Sequence, residues 1–452
     1  MKATFVRTYV AVALLAGLGA YIYFVESKRE PAPEKPTEKV FSFDKTKVRE
    51  VSLAPKDGEA VRVVKEGEAW KMVAPMQTAA DGSEVDSLVQ SLETLQIDEV
   101  VAPSVAKLAD FGLETPRNTV GVLLVGASEP LKLQIGDKTP DGGGLYAKLP
   151  TQPRVFTIAS YLEGSFTKKS FDLRDRDVLH VKRDAVKSLE VSGPEGDYAL
   201  ARNDKGDWTF TRPISTKAGR WTVDGLLGLL ESLKMESVAA EDAKDLKPFG
   251  LDKPVRTVKL DLADGTTKTL QIGSSPSAKK YHAREASASR VAIIAEALVD
   301  ELAKGSNEFR EKRLLDVATY EVEGFDVEAE GAKRVYVRSS SKDKDGVDVY
   351  KWKRTAPDAK DLDTNKVQDA LFKIGGIEAG SFVDAPQGAE TYGLDKPEFK
   401  LTLRYGAGKD PAWLELGRKD GKTYGRRADD AVLLELDGAK ADELVKAFKE
   451  LN

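Results

Sequence analysis

The stretch Asp110-Phe111-Gly112-Leu113-Glu114-Thr115-Pro116 decides the fold of this chain, because it occurs three times. It returns as Pro248-Phe249-Gly250-Leu251-Asp252-Lys253-Pro254 and as Thr391-Tyr392-Gly393-Leu394-Asp395-Lys396-Pro397. We interpret each copy as the end of a short helix, where glycine takes the left-handed position that a side chain disfavours. The leucine then folds back onto the last turn, and the proline prevents the helix from resuming. The glycines lie 138 (250 − 112) and 143 (393 − 250) residues apart, so three tandem copies of one unit are predicted.

Other landmarks recur at nearly the same period. Each copy has a tryptophan with a proline five residues later, then an amphipathic helical pattern, a short strand that ends in glycine, and a tyrosine. The tryptophans are Trp70, Trp208 and Trp352, and the prolines are Pro75, Pro213 and Pro357. The helical patterns are Val85/Leu88/Leu92, Val223/Leu226/Leu230 and Val367/Ala370/Ile374. The strand glycines are Gly136, Gly273 and Gly417, and the tyrosines are Tyr146, Tyr281 and Tyr424. The three tryptophans are predicted to anchor three hydrophobic cores.

Short alternating strands outnumber the helices in each copy, which predicts an α+β fold. We expect three tandem repeats, each a mainly antiparallel sheet with two helices, preceded by one N-terminal transmembrane helix. The predicted repeats are residues 40–179, 180–315 and 316–452. The charged joints Leu173–Leu179 and Phe309–Leu315 lack glycine and proline, so docked repeats are expected rather than units on flexible linkers.

Length and composition limit the classes of function. A chain of 452 residues suggests about three domains of roughly 150 residues. Lys and Arg total 69 against 74 Asp and Glu, and the two signs are interspersed, so no basic face for nucleic acid is expected. Cysteine is absent, which excludes disulfides, thiolate metal sites and cysteine nucleophiles. No cofactor is expected.

The N-terminus has the features of a membrane anchor. Residues 8–25 carry no charge and, as a helix, would extend roughly 27 Å, about the thickness of a bilayer core. We favour an uncleaved signal anchor over a cleavable signal peptide, for which Leu18-Gly19-Ala20 supplies only one of two small residues, and over a buried helix. Residues 1–25 are thus predicted to form a cytoplasmic tail and a transmembrane helix, and residues 26–39 a tether rich in Pro, Glu and Lys.

The predicted location is the bacterial inner membrane, with a single span and the bulk of the chain in the periplasm. Positive charges on both sides of the span offset each other, so the positive-inside rule does not decide the orientation. The very short N-terminal tail favours a cytoplasmic N-terminus.

The residues show no catalytic or metal-binding set. The two histidines, His180 and His282, fall at non-equivalent places and do not form an HExxH motif. Gly417–Thr423 resembles a phosphate-binding loop, but it has three residues between its glycines where that loop has four, and a strand is expected to follow. It is predicted to be a hairpin turn.

Two recurring features and two single tryptophans are candidates for contacts with a partner. The recurring acids after the main helix are Asp98, Glu236 and Glu378, and the recurring bases near the repeated tyrosine are Lys148, Arg284 and Arg426. Their shared role is either binding or assembly, or they are the polar side of alternating strands. Trp221 and Trp413 are not repeated, and each is either an exposed contact residue or a packing residue.

The combination of Trp-x-x-x-x-Pro, an apolar helix, aromatic-Gly-Leu-Asp-Lys-Pro and Leu-Gln-Ile-Gly resembles the family of domains of unknown function numbered 4340. The resemblance covers nearly all of residues 40–452. The second copy matches best, whereas the first has Glu114-Thr115 in place of Asp-Lys and the third has Tyr392 and an interrupted strand at Ala412-Trp413. The resemblance implies an N-terminal membrane span and an association with ABC transporter components of the gliding-motility type, and it supplies no catalytic residues.

The expected function is therefore a non-catalytic, membrane-anchored, extracytoplasmic accessory or scaffold protein. Its expected partners are the membrane and either ABC transporter subunits or envelope proteins. The alternative is a module that binds an envelope glycan or a small ligand, using clefts between the repeats and either Trp221 or Trp413 as a contact residue. A third hypothesis, a hydrolase, requires two facing carboxylates in a cleft.

Overall fold

Short strands with alternating buried residues form three antiparallel sheets of nine strands each. The computed structural model describes Phe24 and residues 38–451, apart from residues 105–106, 317, 343, 346–347 and 407. Apart from Phe24, the predicted transmembrane helix lies outside the described residues, as does most of the predicted tether. In the part of the chain that is described, no helix is both long and apolar enough to cross a membrane.

The last two residues of the predicted tether already belong to the folded part. They form β1 (Glu38–Lys39), which pairs with β6 (Gln96–Ile97). Arg154 Nη1 donates a hydrogen bond of 3.0 Å to Glu38 Oε2, so this end of the predicted tether is held against the first sheet.

The three sheets share one topology. The strands of the first sheet are β2 (Val48–Pro55), β3 (Val61–Glu66), β4 (Ala69–Ala74), β5 (Thr78–Ala79), β7 (Glu99–Ala102), β8 (Asn118–Leu124), β9 (Leu131–Lys138), β10 (Gly144–Lys148) and β11 (Val155–Ala159). Those of the second are β12 (Val186–Ser192), β13 (Tyr198–Arg202), β14 (Trp208–Arg212), β15 (Thr216–Lys217), β16 (Ser237–Ala240), β17 (Arg256–Leu262), β18 (Thr267–Ile272), β19 (Lys280–Glu285) and β20 (Val291–Ala295). Those of the third are β21 (Val322–Ala329), β22 (Ala332–Lys342), β23 (Asp348–Ala356), β24 (Lys360–Leu362), β25 (Ala379–Val383), β26 (Phe399–Tyr405), β27 (Ala412–Lys419), β28 (Lys422–Arg427) and β29 (Leu433–Leu436).

The order of the strands is the same in each sheet. It is β5-β4-β3-β2-β8-β9-β10-β11-β7 in the first, β15-β14-β13-β12-β17-β18-β19-β20-β16 in the second, and β24-β23-β22-β21-β26-β27-β28-β29-β25 in the third. The prediction of three tandem antiparallel repeats is therefore confirmed.

The α-helices of the described residues are few. They are α1 (Gly82–Glu93), α2 (Glu163–Phe166), α3 (Ser170–Leu173), α4 (Arg220–Glu231), α5 (Ala297–Ala303), α6 (Thr364–Ile374) and α7 (Gly438–Lys449). The second and third repeats each have two α-helices, and the first has α1 and two one-turn helices. The second helix of each repeat follows the last long strand. The short helix predicted to end at the aromatic residue is instead a 3₁₀ turn, because only three or four residues precede the glycine.

Each sheet packs its own hydrophobic core against its main helix. The side chains of Trp70, Trp208 and Trp352 are 5%, 2% and 3% exposed, which confirms them as core anchors. All nine residues of the three predicted helical patterns are buried. Asp81 caps α1 by accepting hydrogen bonds from the backbone N–H groups of Ser83 and Glu84, as expected for an N-cap aspartate.

The repeated Phe-Gly-Leu turn has the predicted geometry. Gly112, Gly250 and Gly393 have φ of +63°, +65° and +67°. The next N–H, for example that of Leu113, donates to the carbonyl oxygen five residues earlier, Leu108, at 2.9 Å. The strand glycine of each repeat is required for a different reason: a Cβ added at Gly136 would lie 2.1 Å from the carbonyl oxygen of Phe111.

In the second repeat, the residue that is structurally equivalent to the tyrosines of the other two repeats is one position after the predicted tyrosine. The residue before each strand glycine pairs across the sheet with Ala147, Ala283 or Gly425. The residue that precedes each of these three partners therefore occupies an equivalent position in its repeat. In the second repeat that residue is His282, and Tyr281 lies on the opposite face of β19. His282 packs edge-on against Phe249 at 5.1 Å, as Tyr146 does against Phe111 at 4.9 Å.

The chain divides into two compact units, one ending at Arg176 and one from Asp177 onward, and the second unit contains the second and third sheets. Within the second unit, the joint Phe309–Leu315 is hydrogen bonded to both repeats. The N–H of Gly219 donates to Phe309 O at 2.8 Å, and the N–H of Leu314 donates to Ile377 O at 2.8 Å. Repeats two and three are therefore tied by backbone hydrogen bonds rather than by a free linker. The exact repeat boundaries after residues 179 and 315 stay predictions.

Candidate binding site beside Trp221

Trp221, one of the residues that the sequence singled out, has 71% of its surface accessible. It lies in the first turn of α4, which begins after Gly219. The apolar face of α4, with Val223, Leu226 and Leu230, packs into the second core. Because a helix repeats every 3.6 residues, Trp221 lies off this face and its ring is left on the surface.

Trp221 borders a groove of about 660 Å³ that we call the α4 groove. It is lined by residues of α4, of the β13–β14 hairpin and of the 3₁₀ turn before β12: Arg183, Asp184, Arg202, Lys205, Gly206, Asp207, Trp208, Arg220, Trp221, Asp224, Gly225 and Gly228. Gly225 and Gly228 lie four and seven residues after Trp221, on the same side of the helix. A Cβ at either glycine would meet no atom within 4 Å, so the surface beside Trp221 is open.

The charges of the α4 groove surround Asp224. Its carboxylate lies 4.0 Å from Arg202 and 3.8 Å from Arg220. The Arg202 guanidinium also lies 5.0 Å from the centre of the Trp208 ring. In the first repeat the equivalent aspartate, Asp86, accepts a hydrogen bond of 2.8 Å from Trp70 Nε1. Trp208 Nε1 is buried and has no acceptor among the described residues.

A second, smaller groove of about 190 Å³ lies on the other side of Trp221. It is lined by the start of α4, by the joint between repeats two and three, and by Glu378. The structure thus brings together two of the predicted contact residues, Trp221 and Glu378. Glu378 forms an isolated β-bridge with Arg313 of the joint.

The recurring bases have a common structural position. Lys148, Arg284 and Arg426 lie directly across from Gln134, Gln271 and Glu415, the polar residues of the three short strands that end in glycine. Arg284 Nε donates to Gln271 Oε1 at 2.8 Å, and Arg426 Nε donates to Glu415 Oε2 at 2.8 Å. Lys148 Nζ donates to the carbonyl oxygen of Leu149 at 3.1 Å. The contacts of Arg284 and Arg426 are those of cross-strand pairs on a sheet, whereas the ammonium of Lys148 bonds to the backbone of the next residue in the chain.

The recurring acids have differing surroundings. Asp98 lines a groove of about 560 Å³ with Tyr146 and Thr157, and burial raises the pKa of its carboxyl group. Glu236 pairs with Lys280 at 3.1 Å rather than with Arg284. No ion pair joins a recurring acid to a recurring base among the described residues. Trp413 is half-buried on β27, across from Thr402, and is less accessible than Trp221.

The stretch that resembles a phosphate loop is a hairpin turn, as predicted. β27 ends at Lys419 and β28 begins at Lys422. Asp420 and Gly421 between them have φ of +50° and +77°, which are the left-handed values of a two-residue hairpin.

The edge-on ring of the second repeat, that of His282, is expected to make the free energy of unfolding depend on pH. His282 is 8% exposed, and burial lowers the pKa of its imidazole, so the folded state binds a proton less readily than the unfolded chain. This contribution is fully present above a pH of about 6.5, the usual histidine value, and is lost as the pH falls through the lowered pKa. We expect the melting temperature to fall less on acidification in His282→Tyr than in the natural protein, as measured by circular dichroism from pH 7.5 to 5.

The control is His180→Asn, since His180 has a φ of +49° that asparagine tolerates and its side chain is 57% exposed. The difference in pH dependence between the natural residue and tyrosine at position 282 should persist when His180 is replaced in this way. Parallel pH profiles for the natural protein and His282→Tyr would contradict the prediction.

Sequence reasoning missed the open side of α4 and the unpaired Trp208 indole. A signal for the first was present, because Trp221, Gly225 and Gly228 follow a helical period. The absence of a partner for Trp208 depends on where the side chains of Arg202 and Asp224 lie, which no local pattern shows.

The fold and the grooves define a protein of three tandem α+β repeats with solvent-exposed grooves beside an accessible tryptophan. The chain belongs to the family of DUF4340, a domain of unknown function, whose model matches residues 70–218, 208–387 and 352–451. Each match begins at one of the three repeated tryptophans, which agrees with the repeat identified from the sequence.

Other comparisons add little. No curated protein matches the sequence significantly. A crystal structure of the DNA polymerase sliding clamp from Pseudomonas aeruginosa with ligand is similar over 88% of this chain and 93% of its own, at 7% identity and a TM-score of 0.17. A crystal structure of the DNA polymerase III subunit beta from the same organism covers 87% and 93%, at 6% identity and a TM-score of 0.14. Scores this low carry no argument about fold or function.

Proposed function

We propose that this protein is a non-catalytic scaffold or accessory protein, anchored in the inner membrane, that serves an ABC-type transporter or another machine of the cell envelope. The observation that supports the proposal most is the position of Trp221, which is 71% exposed and lies between two grooves. Both grooves belong to the second compact unit, in which repeats two and three are tied together. A large aromatic residue in such a position is typical of the centre of a protein interface. The fixed surface around it limits the ordering entropy that binding costs.

The location of this scaffold is proposed from the sequence. The uncharged residues 8–25, followed by a polar tether, support a single span with the repeats in the periplasm. The family resemblance supports an ABC transporter of the gliding-motility type as the partner.

A photo-crosslinking amino acid at position 221 tests the proposal in living cells. We expect it to capture a transporter subunit or an envelope protein in intact membranes, because the ring at this position is accessible from both grooves. The matched control is position 161, where Tyr161 is 83% exposed in the first repeat but lines neither groove. Mass spectrometry identifies what is captured.

Two outcomes of this experiment would count against the proposal. One is recovery of the same proteins from positions 221 and 161, which would indicate contact by proximity alone. The other is the absence of any transporter or envelope protein at position 221. Labelling of the repeats by a membrane-impermeant reagent in intact cells with a permeabilised outer membrane checks the location separately.

The second candidate function is binding of an envelope glycan or another small ligand in the α4 groove. The observation in its favour is that an exposed Trp221 ring lies beside Arg202, Arg220 and Asp224, since a ring can stack on a sugar face while charged groups bond to hydroxyls. Soluble envelope glycan fragments should then quench the tryptophan fluorescence of the natural protein but not of Trp221→Phe. Equal quenching of both proteins would exclude this candidate.

A further inference from the structure

Another cleft, distinct from the smaller groove beside Trp221, lies between repeats two and three of the second unit. It contains Lys217 at the end of β15. The cleft has a volume of about 570 Å³. The backbone on which Lys217 lies is fixed from both sides. Thr216 Oγ1 donates a hydrogen bond of 2.9 Å to Asp430 of the third repeat, and the N–H of Glu311 in the joint donates to Lys217 O at 3.0 Å.

Lys217 differs from the other cations of the cleft in its pairing. Arg313 lies 3.0 Å from Glu311, Arg427 lies 2.6 Å from Asp430, and Lys205 lies 2.5 Å from Asp410. No carboxylate lies within 4 Å of the Lys217 ammonium in the part of the chain that the structure describes. Burial lowers the pKa of Lys217, and the charge of Arg427 lowers it further. A half-buried ammonium without a counter-ion is costly, so this group is prepared to gain from an anion.

The same cleft contains carboxylates that are near Lys217 but do not touch it. Asp207 and Asp429 both act on the Lys217 ammonium through their negative charge. Neither forms an ion pair with any of the described residues. Groups of both charges that are unpaired within the described part of the chain thus line the same cleft.

Part of the lining of the cleft is apolar. It includes Trp208 from the second core and Leu314, Leu315 and Ala412 from the joint and the third sheet. Trp208 also carries the buried indole N–H that has no acceptor among the described residues. Beside charged groups that already have ion-pair partners, the cleft therefore combines Lys217, Asp207 and Asp429, all unpaired as far as the structure describes the chain, with apolar residues.

We propose that this cleft binds a small zwitterion with neighbouring ammonium and carboxylate groups, of the class of free α-amino acids. The ligand carboxylate pairs with Lys217, its ammonium pairs with Asp207 and Asp429, and an apolar side chain packs against Leu315 and Ala412. A simple anion would neutralise Lys217 but would be repelled by the two aspartates, and a simple cation would leave Lys217 without a partner. Only a ligand with both charges satisfies all three groups. This inference is independent of the proposed scaffold function.

The test uses the full chain in detergent, labelled with 5-fluorotryptophan, and titrated with L-leucine while the five tryptophan signals are followed by fluorine NMR. The Trp208 signal, assigned with Trp208→Phe, should shift and saturate. N-acetyl-leucine lacks the ammonium group and leucinamide lacks the carboxylate, so each should bind at least about tenfold more weakly than leucine. Equal binding of either blocked form would overturn the proposal, as would no saturable shift with leucine.

Variants identify the groups that bind. Lys217→Met and Asp429→Asn should each weaken leucine binding about tenfold or more, whereas Lys217→Arg should keep most of it. The control is Lys353→Met on β23, which removes an exposed lysine that does not line the cleft. Circular dichroism verifies that each variant is folded. Unchanged leucine binding in a folded Lys217→Met would overturn the proposal, and so would an equal loss in Lys353→Met.

Discussion

Replacing Gly273 with alanine is expected to destabilise the protein by about 3 kcal/mol, the upper end of what overpacking usually costs. A Cβ at this position would lie 2.2 Å from the carbonyl oxygen of Phe249 and 3.0 Å from Leu251 Cγ. The first of these atoms belongs to the backbone of the Phe-Gly-Leu turn, so it cannot move aside as the end of a flexible side chain would. Urea unfolding followed by circular dichroism measures the loss as a lower midpoint.

The control for this substitution is Gly228→Ala in the same repeat. Gly228 lies in α4, and a Cβ there would meet nothing within 4 Å. Alanine at a helical position with room for its Cβ is expected to stabilise by about 0.5–1 kcal/mol relative to glycine. If Gly273→Ala unfolds at the same urea concentration as the natural protein, the close approach of strand and turn is wrong.

Replacing Asp430 with alanine should have the second large effect, a loss of about 3–5 kcal/mol, because it leaves a buried charge without its partner. The side chains of Arg427 and Asp430 are 1% and 0% exposed, and Arg427 Nε donates to Asp430 Oδ2 at 2.8 Å. Asp430 also accepts from Thr216, and Arg427 donates to the carbonyl oxygen of Arg313. The pair therefore joins the second repeat, the joint and the third repeat. Its loss should separate the unfolding of repeats two and three into two steps in a calorimeter.

Two further variants test whether the buried charge pair is the cause of that loss of stability. Asp410→Ala removes an exposed ion pair between the same two repeats, with Lys205, and should leave the calorimetric trace unchanged because solvent screens such pairs. The double variant Arg427→Met with Asp430→Leu should recover much of the stability, since an apolar pair of similar volume avoids the cost of burying charge. Equal effects of Asp430→Ala and Asp410→Ala would refute the role of the buried pair.

The sequence predicts much of the fold because its main signals are local. The left-handed glycine of each Phe-Gly-Leu turn follows from a steric rule that concerns only a few neighbouring residues. The core position of Trp70, Trp208 and Trp352 follows from alternation along a strand, and the buried face of each main helix from its 3.6-residue period. These rules hold whatever lies elsewhere in the chain.

The register of the strands is where local reasoning fails. The interval from the strand glycine to its edge-on ring is ten residues to Tyr146, nine to His282 and seven to Tyr424 (146 − 136, 282 − 273 and 424 − 417). The hairpin loops differ in length, so counting along the chain selects Tyr281, and only the pairing of β18 with β19 selects His282. A shift of one residue reverses the face of the sheet on which a side chain lies.

The candidate sites were predictable only in part. Trp221 stands out in the sequence because the other repeats have no equivalent, and the structure places it on the surface. The recurring bases also stand out, but their partners on the neighbouring strand are seen only once the strands pair.

By itself, the sequence determined that one unit is used three times, where its turns and core residues lie, and which tryptophans stand outside that pattern, because these depend on contacts between residues close along the chain. Only the tertiary structure decided the order of the nine strands, the choice of His282 and the cleft at Lys217. Lys217 and Arg427 are 210 residues apart (427 − 217), and no local pattern encodes which charges meet when two repeats dock. The packing of one repeat against the other decides which charged groups lie close together.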